Sequence, residues 1–439
     1  MERRSLVRLG AVVAAVVALW GLPAAPAVAG VEDGSVVIET NTDFTGENGV
    51  RKGNGTKKSP YVIEGWDLNT LEIHDTNRYV VIRNNIINRL TLNWVGSKRV
   101  KVVQNRVGDL RVNENVERTG AATSGIISHN RFQSVGQLRH WDGVFSHNVV
   151  GFVPEDGSFQ IQFGEASTRA VNFDGFNGAK FVHNKIYGYV EARLHGHHHS
   201  SGYEQGSHYH GAGHEAAHGG RMPLTHMERF HRVKIANNEI HAVGPYGLIY
   251  TDSNHAGNDR TAASETNEAL NDPHEHTTQV AIVDNNLHGS GIVVDIFNAD
   301  DDRHLRTNTG HFTIRENTIR VKEYRNAANA WDAPAAGIDV HQARDLHLHI
   351  LDNVITGPKG DQTPSAGDTI GGYVTSGIKL QDIEKAYIHL TTNEISSRQV
   401  AVYARQFSRV QWWISGMRTQ DVVTEVDYDN SSNQPRNGP

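Results

Sequence analysis

The chain has no cysteine in its 439 residues, so it carries neither a disulfide framework nor a thiolate-ligated metal. It also lacks a basic balance. Its formal charge is −7, whereas a general nucleic-acid binder carries an excess of Lys and Arg. The one long apolar run, Leu9 to Leu22, is shorter than the roughly 20 residues that a membrane span needs. Its flanks give it another reading. Arg3, Arg4 and Arg8 supply a positive region, and Ala27-Val28-Ala29 follows as a small-residue cleavage site, the layout of an export signal over residues 1–29. Arg3-Arg4-Ser5-Leu6-Val7 fits a twin-arginine signal as well as a general secretory one. The expectation is an exported monomer, without a membrane span after signal cleavage and without a nucleic-acid partner.

What the chain has in quantity is a short repeated string, present ten times. An apolar residue is followed by two of any kind, Asn, one of any kind, and a second apolar residue. The copies are Ile82-Asn85-Ile87, Val102-Asn105-Val107, Ile127-Asn130-Phe132, Phe145-Asn148-Val150, Phe181-Asn184-Ile186, Ile235-Asn238-Ile240, Ile282-Asn285-Leu287, Ile314-Asn317-Ile319, Ile350-Asn353-Ile355 and Leu390-Asn393-Ile395. Spacings of roughly 20 residues, longer where loops intervene, are those of a stacked repeat. Asn suits a turn because its amide bonds nearby backbone and it tolerates left-handed angles; stacked copies would form an amide ladder. Before each Asn the residues alternate, as in Leu346-His347-Leu348-His349-Ile350, so that aliphatics line a core while the histidines face water. A solenoid grows by stacking, so a chain of this length need not divide into globular domains.

A more specific signal lies at Gly53 to Leu68, GNGTKKSPYVIEGWDL, which leads into alternating strands and Asn-Asn turns. This opening resembles that of secreted right-handed parallel β-helix proteins of the carbohydrate-binding and sugar-hydrolysis type. The group includes periplasmic proteins of nitrous-oxide reductase maturation. The resemblance covers about residues 59–416 and implies an all-β, right-handed parallel β-helix. From composition, the polar, Gly-rich residues 30–59 are read as an N-terminal cap, 60–416 as coils and 417–439 as a C-terminal tail, whose end from Asp427 is polar, lacks apolar periodicity and is expected to be disordered. For activity the resemblance implies a wide range, from lyases, hydrolases and epimerases to non-catalytic binders; the maturation-type proteins are associated with copper.

Histidine is over-supplied, with 26 residues. Ten fall in an insertion at 195–231, where His195, His197, His198, His199, His208, His210, His214 and His218 are candidate metal ligands beside Glu204 and Glu215. Neutral imidazole suits Cu, Zn and Ni. The same composition also fits a solvated loop that takes up metal as any His tag does. A second insertion, about 254–278, carries His274-Glu275-His276, and a third, about 357–372, is rich in Gly, Pro and Thr. His129, His147 and His183 each stand one before the turn Asn and are expected to stack as a column; His347, His349 and His389 are expected on the solvated face.

A second strand recurs, led by Gly: Gly247-Leu248-Ile249-Tyr250-Thr251, Gly291-Ile292-Val293-Val294-Asp295, Gly337-Ile338-Asp339-Val340-His341 and Gly377-Ile378-Lys379-Leu380-Gln381. Alternation predicts an outward column of Thr251, Asp295, His341 and Gln381, with Tyr403 continuing it, and Asp339 and Lys379 two positions earlier. The candidate catalytic group is Lys379, His341, Asp295 and Asp339, with Thr251, Gln381 and Tyr403 as substrate contacts. In a lyase, Lys379 or His341 would be the base, and the two carboxylates would hold Ca against the substrate. The competing reading is a solvated face with opposite charges paired across coils. The expected function is transition-metal binding through the insertion, with a carbohydrate-binding face; the alternative is a polysaccharide-active enzyme, a lyase rather than a hydrolase.

Overall fold

The computed structural model describes residues 34–93, 95, 99–112, 124–139, 141, 143–151, 169–174, 179–195, 230–241, 246–253, 277–289, 291–295, 309–321, 336–344, 346–357, 375–398, 400–428 and 436–437. Among them every regular element longer than one residue is a strand, and none is an α-helix. The strands form one sheet of 21, here sheet A, and one of 14, sheet B. Pairing is parallel throughout, save for Val50–Lys52 running antiparallel to Tyr61–Glu64.

The coil around Asn353 shows how the sequence builds the layers. Leu346–Leu351 lies in sheet B, Val354–Thr356 and then Ser376–Glu384 lie in sheet A, and Tyr387–Thr391 returns to sheet B one rung on. Leu346, Leu348 and Ile350 point inward and are buried, while His347 and His349 alternate to the outside. Equivalent residues repeat at each rung, so Ile282, Ile314, Ile350 and Leu390 form one registered internal column. Each such side chain, fully buried, contributes roughly 1.5–3 kcal/mol. Branched residues suit this setting because they pack well on a pleated surface.

The ten turn asparagines form a continuous ladder, each at most 3% exposed. Asn238 is representative. Its backbone N–H and its Nδ2 both donate to Asn285 Oδ1, at 3.0 and 2.9 Å, and Nδ2 also donates to Phe181 O at 3.0 Å. Its own Oδ1 accepts from the backbone N–H and the Nδ2 of Asn184, at 2.9 and 3.0 Å. The residue before each ladder Asn is left-handed, from Asn84 at φ 54° to Thr392 at φ 53°. That column includes His129, His147 and His183 at 58°, 55° and 58°, and their rings stack at 4.9 Å per step.

The recurrent glycine has a steric cause. A Cβ on Gly337 would lie 2.3 Å from Ile355 Cγ2, and one on Gly377 would lie 2.5 Å from Ile395 Cγ2. The ladders also run past the expected end of the coils at Gly416. Arg418–Gln420 pairs with Glu394–Ser396, Thr424–Tyr428 with Val400–Ser408, and Arg436–Asn437 with Trp413 and Ile414. The tail beyond the expected coils therefore adds two sheet A strands and one of sheet B, and the segment from Asp427 expected to be disordered holds the end of Thr424–Tyr428 and all of Arg436–Asn437. At the other end, Ser35–Ile38 pairs with Thr70 to Ile73, so the first rung already lies within 30–59.

Candidate functional site

The Gly-led strands are consecutive rungs of sheet A, and their register aligns two columns of polar residues. The register places Thr251 opposite Asp295, Asp295 opposite His341, and His341 opposite Gln381. Two residues earlier, Asp339 stands opposite Lys379. The predicted column is therefore contiguous up to Gln381.

Tyr403 needs correction. The register puts Ala401 in the place of Gly377, so Tyr403 lies opposite Lys379, and Arg405, not Tyr403, lies opposite Gln381. Aligning the strand on Ala401 would have found Arg405, because Ala is the next smallest residue that tolerates the close approach.

Asp339 is the centre of the described cluster. His341 Nδ1 lies 3.3 Å from its Oδ1, and Lys379 Nζ donates to its Oδ2 at 3.2 Å. Burial pushes the Asp339 carboxyl up, but the His341 hydrogen bond and the Lys379 charge outweigh burial and hold it below the usual carboxylate range. Beside it, Gln381 Nε2 donates to Gln406 Oε1 at 3.1 Å. Arg405 packs 4.4 Å from the Tyr403 ring centroid and pairs with Asp427 at 2.9 Å. The cluster thus presents an ionised carboxylate bridged to an ammonium, flanked by an amide, a guanidinium and a phenol. Such a set can hydrogen-bond a polyhydroxylated or acidic ligand. An Asp339 engaged on both oxygens is poorly placed to take a proton from carbon. Thr251 and Asp295 are placed only by strand register.

Of the candidate metal ligands, His195 ends the strand Tyr189–His195, and His197, His198, His199, His208, His210, His214 and His218 lie outside the described residues. Among the described residues no group of three His, Cys, Asp or Glu is arranged to hold a metal ion.

The outward histidines of sheet B form two adjacent columns. His311, His347 and Tyr387 stack at 4.8 and 5.0 Å, and His349, His389 and Trp413 stack at 5.0 and 4.6 Å. Partial burial and the neighbouring imidazoles depress both His347 and His349 below the ordinary histidine value. His311 was not anticipated. It stands six residues before Asn317, as His347 does before Asn353, so counting back from each turn Asn would have revealed it. Comparison with protein-family models, with curated proteins and with solved structures finds no match for this chain.

Proposed function

We propose that the chain is an exported right-handed parallel β-helix, capped by residues 30–59, that binds a divalent transition metal through its histidine-rich insertion. Handedness rests on the near-universal right-handed crossover between parallel strands. One observation carries the metal reading. His195 is in register with Ser253, and Phe230, Thr277 and Thr309 are in register with one another. Residues 196–229, 254–276 and 296–308 therefore connect the same two strand ladders on three consecutive coils, about 4.8 Å apart per rung.

The histidines after His195 and the His274-Glu275-His276 group thus leave from neighbouring rungs. Insertions that emerge on one side of a repeat protein often carry its function. Imidazole and carboxylate donors without thiolate suit Cu, Zn or Ni. Competition titration with Cu(II), Ni(II) and Zn(II) tests this. Binding should weaken as pH drops through about 6.5, where imidazole protonates. Deleting 196–218 should remove most of it while leaving the β-sheet circular dichroism intact. Undiminished binding after the deletion would sink the reading.

A second reading is favoured by the Asp339–His341–Lys379 network: the sheet A face holds a polysaccharide, and if turnover occurs it is lyase chemistry aided by Ca. His341→Ala and Lys379→Ala, made separately, test it. A catalytic base should cost about a hundredfold or more in turnover. If intact variants bind and turn over substrate as before, the network only pairs charges on a solvated face.

A further inference from the structure

Sheet B and sheet A differ in how they handle charge. The 14 strands of sheet B carry nine Lys or Arg residues and a single carboxylate, Glu64. Glu64 is already engaged, by Arg83 at 2.5 Å and Lys52 at 3.4 Å. Sheet A mixes signs and pairs them; Lys185, for example, meets Glu239 on the next strand at 3.1 Å. The chain as a whole is acidic, at −7. The basic face is therefore local and segregated.

Its central column is the outward residue four before each turn Asn. Strand register links Lys101 through Ile126 and Val144 to Lys180 and Lys234, then through Ala281 and Thr313 to His349, His389 and Trp413. Lys180 and Lys234 are exposed and directly opposite each other on neighbouring strands, a like-charge pairing that destabilises a sheet. An anion lying across the rungs would relieve it.

We propose that the outer face of sheet B binds a linear acidic polysaccharide along the solenoid axis, with the imidazole columns tightening the hold as pH falls. The column climbs about 4.8 Å per rung and carries cations at Lys101 and at the adjacent Lys180 and Lys234, with imidazoles at His349 and His389, which fits a long polymer whose acidic groups recur along its length. The ring geometry separates this partner from nucleic acid. The imidazoles stack face to face within their columns, so their edges, carrying nitrogen donors and acceptors, point outward. Edges suit hydroxyls and carboxylates, whereas single-stranded nucleic acid needs exposed ring faces for its bases.

The neighbours of the titrating groups are consistent with a charge that appears in acid. His349 faces His311, His347 and His389; Tyr387 and Trp413 lie on the following strands, and Arg315 on the preceding one. The nearest turn residues add Glu316, which is 3.9 Å from Arg315, and Asp352, which accepts from the Thr392 hydroxyl. At neutral pH the lysines hold the polymer, and in acid the imidazoles add to them. This face is distinct from the Asp339 cluster, and the proposal does not rest on metal binding.

The test uses the full mature chain with labelled polygalacturonate, against neutral dextran and oligothymidylate, at about pH 7.5 and about pH 5.5, on either side of the imidazole value. Polygalacturonate should bind, and bind tighter at the lower pH by about fivefold for each imidazole that gains a proton. The triple change Lys101→Gln, Lys180→Gln, Lys234→Gln should weaken binding at both pH values. His349→Gln with His389→Gln should leave binding at neutral pH and remove most of the gain in acid. Lys234→Glu alone gives the same reading should the triple variant lose its β-sheet signal. No binding to polygalacturonate, equal binding to dextran, tighter binding to oligothymidylate, or indifference to the lysine changes would each overturn the proposal.

Discussion

At the scale of single residues, the stability of this chain rests on the asparagine at each turn. Asn238 uses its amide oxygen to accept two hydrogen bonds and its amide nitrogen to donate two, all within a buried setting. Replacing it with Ala leaves the Asn184 N–H and the Phe181 carbonyl without those partners. Each orphaned buried group costs about 1–3 kcal/mol, so Asn238→Ala should lower unfolding free energy by about 3 kcal/mol or more, read from urea unfolding. The position before it behaves oppositely. Asn237 sits at φ 56°, so Asn237→Gly should be tolerated, while a β-branched residue there meets the left-handed penalty of about 1–2 kcal/mol. The stacked His129, His147 and His183 occupy the same conformation on other coils and are read as turn residues first.

At the scale of the strand, alternation decides which changes matter. Ile350 is fully buried and His349 beside it is exposed. Ile350→Asp should unfold the protein or destabilise it severely, because it buries an unpaired charge, whereas His349→Asp should fold; equal tolerance in thermal melts would contradict the register. The same strands set a pH dependence. In the folded chain His147, His347 and His349 lie below the ordinary imidazole value, burial first and neighbouring imidazoles second. The unfolded chain therefore takes up protons first. Stability should be full above about pH 6.5 and fall as pH drops through that value toward the folded ones. Asp339, held low, adds a separate loss below about pH 4, where the unfolded carboxyl protonates before the folded one. Urea midpoints across this range should decline toward acid, and the triple change His147→Asn, His347→Gln, His349→Gln should flatten the upper part of the decline.

At the scale of the molecule, the repeat was legible because the ten coils from Asn85 to Asn393 obey the same two constraints, a buried Asn at the turn and apolar residues at alternate inward positions. Even the contact between Asp339 and Lys379 follows from counting positions after Gly337 and Gly377. Tyr403 was misplaced because its strand lacks the Gly that marks the origin of the count. The continuation beyond Gly416 was hidden because Arg418 to Tyr428 is polar; as a terminal rung it has fewer neighbours to bury against, and its alternation is weak. The basic face of sheet B was invisible in composition, since nine cations spread over 14 strands are drowned by acids elsewhere. Function was the least legible, because residues distant in sequence meet across coils, as Asp339 and Lys379 do, and insertions follow no period.

Metal binding by the histidine-rich insertion is decided by metal analysis, by mass spectrometry, of untagged protein alongside a variant lacking 196–229, after dialysis against equal concentrations of Cu(II), Ni(II) and Zn(II). At about pH 7.5 the intact protein should retain a transition metal and release it at about pH 5, and the variant should retain little despite an unchanged β-sheet spectrum. An intact protein that emerges metal-free, or a variant that retains as much, would contradict binding by the insertion.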